Sequence, residues 1–447
     1  MNAKPPVSSS RRTFLKTTAT ATTAVAAGVL DVARTAHAAG SDVLKVGMIG
    51  CGGRNTGAGA QALKADRGAR LVAMCDIFQD RVFNARYAIQ ADLARLDRAD
   101  QVQVPNENCF TGIKAYEEVI AASDVVCIAN AAKFHPLHAI SALRAGRHVF
   151  VEKPHGIDPR GLKLLQAAAE LAREKGLCLV SGLQSRYHPG YQETVKRIHD
   201  GAIGDVISIE ENFLRAPYGV TERKPDLSEL EWQFSTQYHF RWLSGDDVPQ
   251  SLVHNMDRAR WVLGDPVPLK CHGLGGRSSM IEPIYGDVFD HHSVIYQFAS
   301  GVRVYAFCRT TTGCYNESSS IILGSKGQAS VTACRIWGGD NNWRWQPASN
   351  DSHDVDPYQI EHDRLFAGIR SGQPVNNGDY MFKSTMSTIM GQLSCYTGEE
   401  VSWEAVNASD YFHAPAPEDC HDGMEPPTVP GANGSYPVPV PGQTRMI

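Results

Sequence analysis

Arg147-His148-Val149-Phe150-Val151-Glu152-Lys153-Pro154-His155-Gly156 sets a short apolar run directly ahead of a carboxylate, an ammonium and a proline. Val149–Val151 read as a buried strand rather than a helix. Pro154 lacks an N–H and disfavours helix at Lys153, so the strand ends at Glu152–Lys153. In open α/β sheets, ligands bind at that C-terminal edge. Taken alone, the trio reads as well as a salt-bridged surface turn. Its neighbours decide.

Upstream, strand and helix patterns alternate. Val43–Gly50 is a strand pattern running into Gly50-Cys51-Gly52-Gly53-Arg54-Asn55, and Thr56–Ala65 is an Ala-rich helix. This is the context a dinucleotide fingerprint needs: Gly50 for the tight turn, Gly52 for close approach of a pyrophosphate, and a helix N-terminus beneath it. Asn55 stands where the fingerprint has its third glycine, which either loosens helix–strand packing or places an amide near the phosphates. A second strand, Ala69–Cys75, ends at Asp76, 26 residues after Gly50. A carboxylate there accepts from ribose hydroxyls and repels a 2′-phosphate, favouring NAD over NADP. Asp76 also suits an N-cap for the helix read at Asp80–Leu96. Tyr116–Ala121 is a helix, Ser123–Ala129 a buried parallel strand, and Asn130–Pro136 a loop carrying Asn130 and His135. Leu137–Ala145 is a helix stopped by Gly146. Downstream lie the helix Arg160–Lys175, closed by Gly176, and the strand Leu177–Ser181. The strand ends collect Gly52, Asp76, Asn130, Glu152, Lys153 and Gln184.

From Gln184 the period changes. Tyr187–Asp200 is a helix, Asp205–Leu214 a strand, and Asp246–Leu263 a helix carrying His254-Asn255-Met256-Asp257. Strand patterns follow at Val267–Leu274, Val288–Phe298, Val302–Thr311, Ser319–Leu323 and Gln328–Ala333, with hairpin turns at 299–301 and 324–327. Pro357–Arg370 and Asp379–Tyr396 are helices, and the chain from Ala414 is a Pro/Gly-rich extended tail. The fold class is α/β: a doubly wound parallel sheet at 39–183, an α+β domain with a largely antiparallel open sheet at 184–413, and a tail at 414–447.

Ser10-Arg11-Arg12-Thr13-Phe14-Leu15-Lys16 leads into a mild apolar run, Thr17–Leu30, and Ala36-His37-Ala38 offers a peptidase its small residues. Residues 1–38 thus resemble a twin-arginine signal, an address read by the export machinery, and the expected destination is the periplasm or the exterior. The full chain carries a net charge of −5, and residues 1–38 hold five basic groups and one acid, so the rest is near −9. That is poor footing for nucleic acid, where a basic face supplies most non-specific affinity. The 11 cysteines show no metal-type spacing. Cys75, Cys127 and Cys178 read as small buried thiols, with room left for one surface disulfide. His291 and His292 are adjacent and on a strand face opposite ways, so no metal site is expected.

Gly50–Asn55, Asp76, Ala139–Pro154, Gly182–Arg186 and His254–Gly264 together resemble the glucose–fructose oxidoreductase/inositol dehydrogenase (Gfo/Idh/MocA) family across nearly the whole mature chain. The resemblance implies a Rossmann domain that binds NAD through Gly50, Cys51, Gly52, Gly53, Arg54, Asn55, Asp76, Asn130, His135, Glu152, Lys153 and Gln184. It implies that Lys153 orients a sugar and that His254 is the acid–base group. It also implies an oligomer built through the second-domain sheet. Family dehydrogenases have Asp four residues before the histidine, where this chain has Gln250, an amide that cannot ionise. Asp257 is the candidate replacement acid. Arg186, Tyr187, Tyr218 and Gln250 are candidate sugar contacts. Asn341-Asn342-Trp343-Arg344 is a candidate cover for the cofactor.

The expected function is an exported, NAD-dependent oxidoreductase of a sugar or cyclic polyol that keeps its cofactor. An alternative uses transient oxidation for epimerisation or glycoside cleavage. A third reading is a non-catalytic sugar-binding protein on a Rossmann scaffold, for which Lys153 would be dispensable.

Overall fold

The computed structural model describes residues 42–219, 222–339, 342–348 and 355–446. The leader read at 1–38 lies outside the described residues, as does Asn341.

Six strands form the first sheet: β1 (Leu44–Ile49), β2 (Ala69–Asp76), β3 (Cys109–Thr111), β4 (Val125–Ile128), β5 (His148–Val151) and β6 (Leu179–Ser181). Their order is 3-2-1-4-5-6, with parallel pairing. Every residue of β4 and β5 is buried, because helices cover both faces of a parallel sheet. Those helices are α1 (Gly53–Ala65), α2 (Gln79–Ala94), α3 (Tyr116–Ala122), α4 (His135–Arg144) and α5 (Pro159–Lys175). The ends of α5 are written in the sequence. Asp158 accepts from Gly161 N at 2.7 Å, Pro159 takes the first turn, and Gly176 closes the helix in the left-handed region at φ 64°. Strand order reverses between β1 and β4, which opens a crevice above their C-terminal ends.

The second sheet has nine strands: β7 (Val206–Arg215), β8 (Lys270–Gly276), β9 (His291–Gln297), β10 (Arg303–Thr310), β11 (Glu317–Gly324), β12 (Gln328–Ser330), β13 (Arg335–Trp337), β14 (Trp343–Arg344) and β15 (Val401–Ser402). The β9–β10 and β11–β12 hairpins form as read, and among the paired strands β7–β10 alone run parallel. Helices α6 (Pro189–His199), α7 (Glu229–Ser235), α8 (Val253–Val262), α9 (Pro357–Ser371) and α10 (Gly378–Thr397) complete the frame. A π-helical turn, Val248–Leu252, leads into α8. Such turns concentrate at functional sites.

Two features depart from the sequence reading. The second domain is not contiguous. Leu179 N donates to Val375 O at 2.8 Å and Asn377 N to Leu179 O at 2.9 Å, so residues 375–377 run along the β6 edge. Gln359 on α9 donates to Gln61 O of α1 at 3.0 Å. Helix α7 occupies a stretch to which the sequence pattern assigned nothing. Its Ser228/Glu231 capping box is the overlooked signal. The extended tail is anchored by Cys420 and Tyr436, buried in a cluster with Trp232, Phe234, Phe240 and Trp242. All eleven thiols are free, and Cys314 alone is exposed. The surface disulfide for which the sequence left room is therefore absent.

Candidate active site

The crevice begins at Gly50. Its φ is +88°, and a Cβ there would lie 2.9 Å from the Asn130 backbone. Gly52 caps α1 with no side-chain acceptor, and a Cβ on Gly52 or Gly53 would meet no atom within 4 Å. Unsatisfied N–H groups at the α1 N-terminus therefore face open space, which fits a pyrophosphate. Asp76 accepts from Cys51 N at 2.7 Å and from Phe78 N at 3.1 Å. Its carboxylate is thereby fixed on the wall of a cavity lined also by Arg81, Ile113, Asn130, Phe234 and Gln237. Acid and uncapped helix together fit the adenosine half of a dinucleotide. Two substitutions separate cofactor binding from folding. Gly52→Ala should keep the thermal midpoint and weaken NAD binding at least tenfold, whereas Gly50→Ala should lower the midpoint by several degrees, because it strains φ and strikes Asn130. Calorimetry beside NAD titration reads both.

At the other end of the crevice, β5 delivers Glu152 and Lys153. Lys153 Nζ donates to Gln250 O at 2.8 Å, across the join between the two domains. Glu152 accepts from Arg54 Nε at 2.5 Å and from Lys153 N at 3.0 Å. Arg54 also lies 3.5 Å from Glu361 and over the Tyr358 ring, so it ties the phosphate loop to α9. His135 sets its ring nitrogens against Pro154 O at 2.7 Å and Asn130 O at 3.0 Å, fixing both loops. A cavity here is lined by Arg54, Asn130, Glu152, Lys153, Tyr238 and Gln250. Residues of both domains form it, and it shares Asn130 and Gln237 with the adenosine cavity.

His254, half-buried on α8, has no partner for Nδ1. Burial pushes its pKa well below the usual histidine value, and the positive charges of Lys153, Arg258 and Arg54 push it the same way. Its imidazole is therefore neutral at neutral pH. The neighbouring Asn255 donates to Glu211 Oε2 at 2.8 Å and to Asn212 O and Ser319 O, pinning this helix to the sheet. Glu211 itself is pushed up to about 7 by burial, which outweighs Arg258 beside it.

Residues 44–183 match the family described as "Oxidoreductase family, NAD-binding Rossmann fold" (GFO_IDH_MocA), and residues 191–330 match the GFO/IDH/MocA C-terminal domain. The chain belongs to the GFO/IDH/MocA oxidoreductase family. It is 25% identical over 288 residues to an inositol 2-dehydrogenase of Rhizobium meliloti, covering 64% of this chain and 74% of that protein. Two solved structures share the fold. Scyllo-inositol dehydrogenase from Lactobacillus casei, with NAD(H) and scyllo-inositol bound, matches at TM-score 0.59 and 18% identity, over 80% of this chain and 99% of that one. Aldose-aldose oxidoreductase from Caulobacter crescentus matches at TM-score 0.60 and 18% identity over the same shares. The chain is thus an NAD-binding oxidoreductase of that family.

Within that family fold, several candidate contacts lie away from the crevice. Arg186 is not a sugar contact: it makes a double hydrogen bond to Asp257 at 2.8–3.0 Å and pairs with Asp265. Asp257, thus engaged and also accepting from Ser384 at 2.9 Å, is not a replacement acid for His254. Tyr187 OH donates to Asn377 Oδ1 at 2.8 Å, holding the returning segment rather than a sugar. Asn55 turns inward, donating to Ile49 O, Gly50 O and Cys127 O, so it binds α1 to the sheet and offers nothing to the phosphates. Trp343 and Arg344 form an edge strand with the Trp343 ring on Arg197, and they do not cover the cofactor. Gln184 donates to Tyr358 OH at 3.1 Å, beside Arg54. Tyr218 and Gln250 do reach the crevice. Arg81, Arg215, Phe234, Tyr238 and Asp247 were missed by sequence reasoning. Of these, Asp247 sits one turn before Gln250, where a shifted-acid search would have found it.

Proposed function

We propose that this protein is an exported oxidoreductase of a sugar or cyclic polyol that works with NAD it carries and retains, with Lys153 and His254 at the reacting hydroxyl. The observation that carries the reading is the position of Lys153 Nζ, in a cavity formed by both domains and continuous with the nucleotide crevice. When bound, NAD supplies the hydride acceptor. The ammonium of Lys153 binds the substrate hydroxyl and favours its alkoxide. The neutral imidazole of His254 accepts the hydroxyl proton. His135, set against Asn130 O and Pro154 O, and Glu152, accepting from Lys153 N, fix the loops around the cavity, and Arg54 keeps Glu152 in place. Export rests on the twin-arginine pattern at Ser10–Lys16, and a periplasmic enzyme needs a cofactor that does not leave. Phe234, packed in the buried tail cluster, and Gln237 wall the adenosine cavity and support retention.

A retained cofactor must be reset in every cycle. A second sugar taking the hydride does this. So does return of the hydride to the same sugar, after epimerisation or loss of a glycosidic substituent. Gln250 in place of the family Asp, with cations rather than a carboxylate around His254, favours keeping that second cycle as the alternative. Assembly through the open face of the second sheet belongs to the proposal as well. That face carries Ile295, Tyr305, Phe307 and the 78%-exposed Leu274 in adjacent register, and light scattering counts the subunits.

The test is to denature freshly purified protein lacking residues 1–38 and to identify what is released by absorbance and mass. Stoichiometric NAD or NADH is expected, followed by a change in absorbance of the intact protein when sugars or cyclitols are added without cofactor. Release of no dinucleotide, together with no binding of added NAD, overturns the reading.

A further inference from the structure

Beyond Lys153 the crevice opens into a second, smaller cavity, and Tyr238 and Gln250 line both. One side of it is apolar, built from Met280, Val288 and Phe289. The other is polar and incompletely satisfied. Asp247, 7% exposed, pairs through Oδ1 with Arg215 at 2.5 Å and with Ser251 Oγ at 2.5 Å, but its Oδ2 has no partner. Arg215 Nε and the Nε2 of His239, itself 3% exposed, have none either. Burial lowers the His239 pKa to about 4, against a hydrogen bond to the Tyr218 backbone that raises it, so its ring is neutral at neutral pH. Leaving such groups buried and unpaired is costly. Three around one cavity mark a place built for a polar group.

The turn that carries Asp247 is itself over-determined. Asp246 takes φ +70°, and its carboxylate accepts from Phe289 N at 2.9 Å and from Tyr396 OH, and lies 3.4 Å from His292 Nε2. Gln392 donates to Gly245 O. Arg215 lies 3.7 Å from the Tyr218 ring, which stacks on Tyr238 at 4.1 Å. The polar pole is therefore rigid before any ligand arrives.

We propose that Asp247, Arg215 and His239 form a specificity pocket for a hydroxymethyl group projecting from the ring that reacts at Lys153, so that the substrate is a hexopyranose rather than a cyclitol. This rests on the function proposed above. The methylene packs on the apolar wall. The hydroxyl donates to Asp247 Oδ2 and accepts from Arg215 Nε–H. The hydroxyls of a cyclitol lie one bond from the ring, whereas a group that passes Gln250 into a second cavity needs the extra carbon. Asp247 thereby puts a carboxylate back into a substrate site whose family acid is replaced by Gln250, though it binds a different hydroxyl.

The experiment uses the cofactor-loaded protein. Glucose, galactose and mannose are compared with the pentopyranoses xylose, arabinose and lyxose, which lack the hydroxymethyl group, and with myo-inositol. The readout is kcat/KM for the absorbance change of the bound cofactor. A hexose is expected to exceed its pentose partner and inositol by roughly 10²-fold or more, as a site built to hydrogen-bond a hydroxyl rejects analogues without it. Asp247→Asn should shrink the hexose-to-pentose ratio at least tenfold. The wild-type ratio alone tests the pocket if that variant does not fold. Equal or better reaction of a pentose or inositol overturns the pocket and leaves the oxidoreductase reading standing. A loaded protein that responds to none of the seven compounds counts against both.

Discussion

Replacing Lys153 by methionine should lower turnover by about 10³-fold while leaving the bound cofactor in place, a loss typical of removing one charge-stabilising, proton-handling group. Methionine keeps the apolar stem and its packing, so the change isolates the ammonium. That ammonium reaches the carbonyl of Gln250 at 2.8 Å and thereby touches the second domain at the point where the two cavities meet. It is also the charge that, after burial itself, most depresses the His254 pKa. In the wild type, activity should therefore persist below the usual histidine range, because the base form of a histidine with a lowered pKa survives to lower pH. In Lys153→Met the remaining activity should lose that acid tolerance, its lower limb moving up in pH as His254 returns toward its ordinary value. Cofactor content, single-turnover rate and a pH profile on the same preparation check all three. Turnover within tenfold of wild type would remove Lys153 from the reacting hydroxyl.

The first sheet was legible because its signals are local. Gly50 before a helix, Asp76 at a strand end and Pro154 after one each act within a few residues, and the structure places Gly50, Asp76 and the Glu152–Lys153 pair ahead of Pro154 along one crevice. What was not legible depends on partners far away in the chain. Nothing near Arg186 says that its guanidinium meets Asp257, 71 positions later, instead of a sugar. Nothing near Asn55 says that its amide will find Cys127 O. A polar side chain at the mouth of a predicted site can face ligand or core, and residue type does not decide which. Residues 375–377 were missed for a related reason. They pair with β6 across almost 200 positions, with no strand pattern of their own.

Asp257→Ala should be the most destabilising of these substitutions, costing about 3–5 kcal/mol, as expected when one partner of a buried ion pair is removed and the other stays charged. Asp257 is fully buried, and both its oxygens are used: Arg186 Nε and NH2 at 2.8–3.0 Å, and Ser384 Oγ at 2.9 Å from α10. Burial works against the charge of Arg186, but Asp257 and Asp265 more than offset it and hold its pKa above the ordinary value. Without Asp257 the guanidinium keeps only Asp265, whose side chain is 34% exposed and screened accordingly. Asp265→Ala should therefore cost far less than Asp257→Ala, and denaturant midpoints of the two variants measure the difference. A substrate contact would behave the other way, lowering kcat/KM with little change in midpoint. Arg215–Asp247 is built differently. Both are Arg–Asp pairs close to the join between sheet and helix. In the first, every carboxylate oxygen is spent on the protein, so its whole energy is structural. In the second, Oδ2 is left open on a cavity wall, so part of its energy is held back for whatever enters.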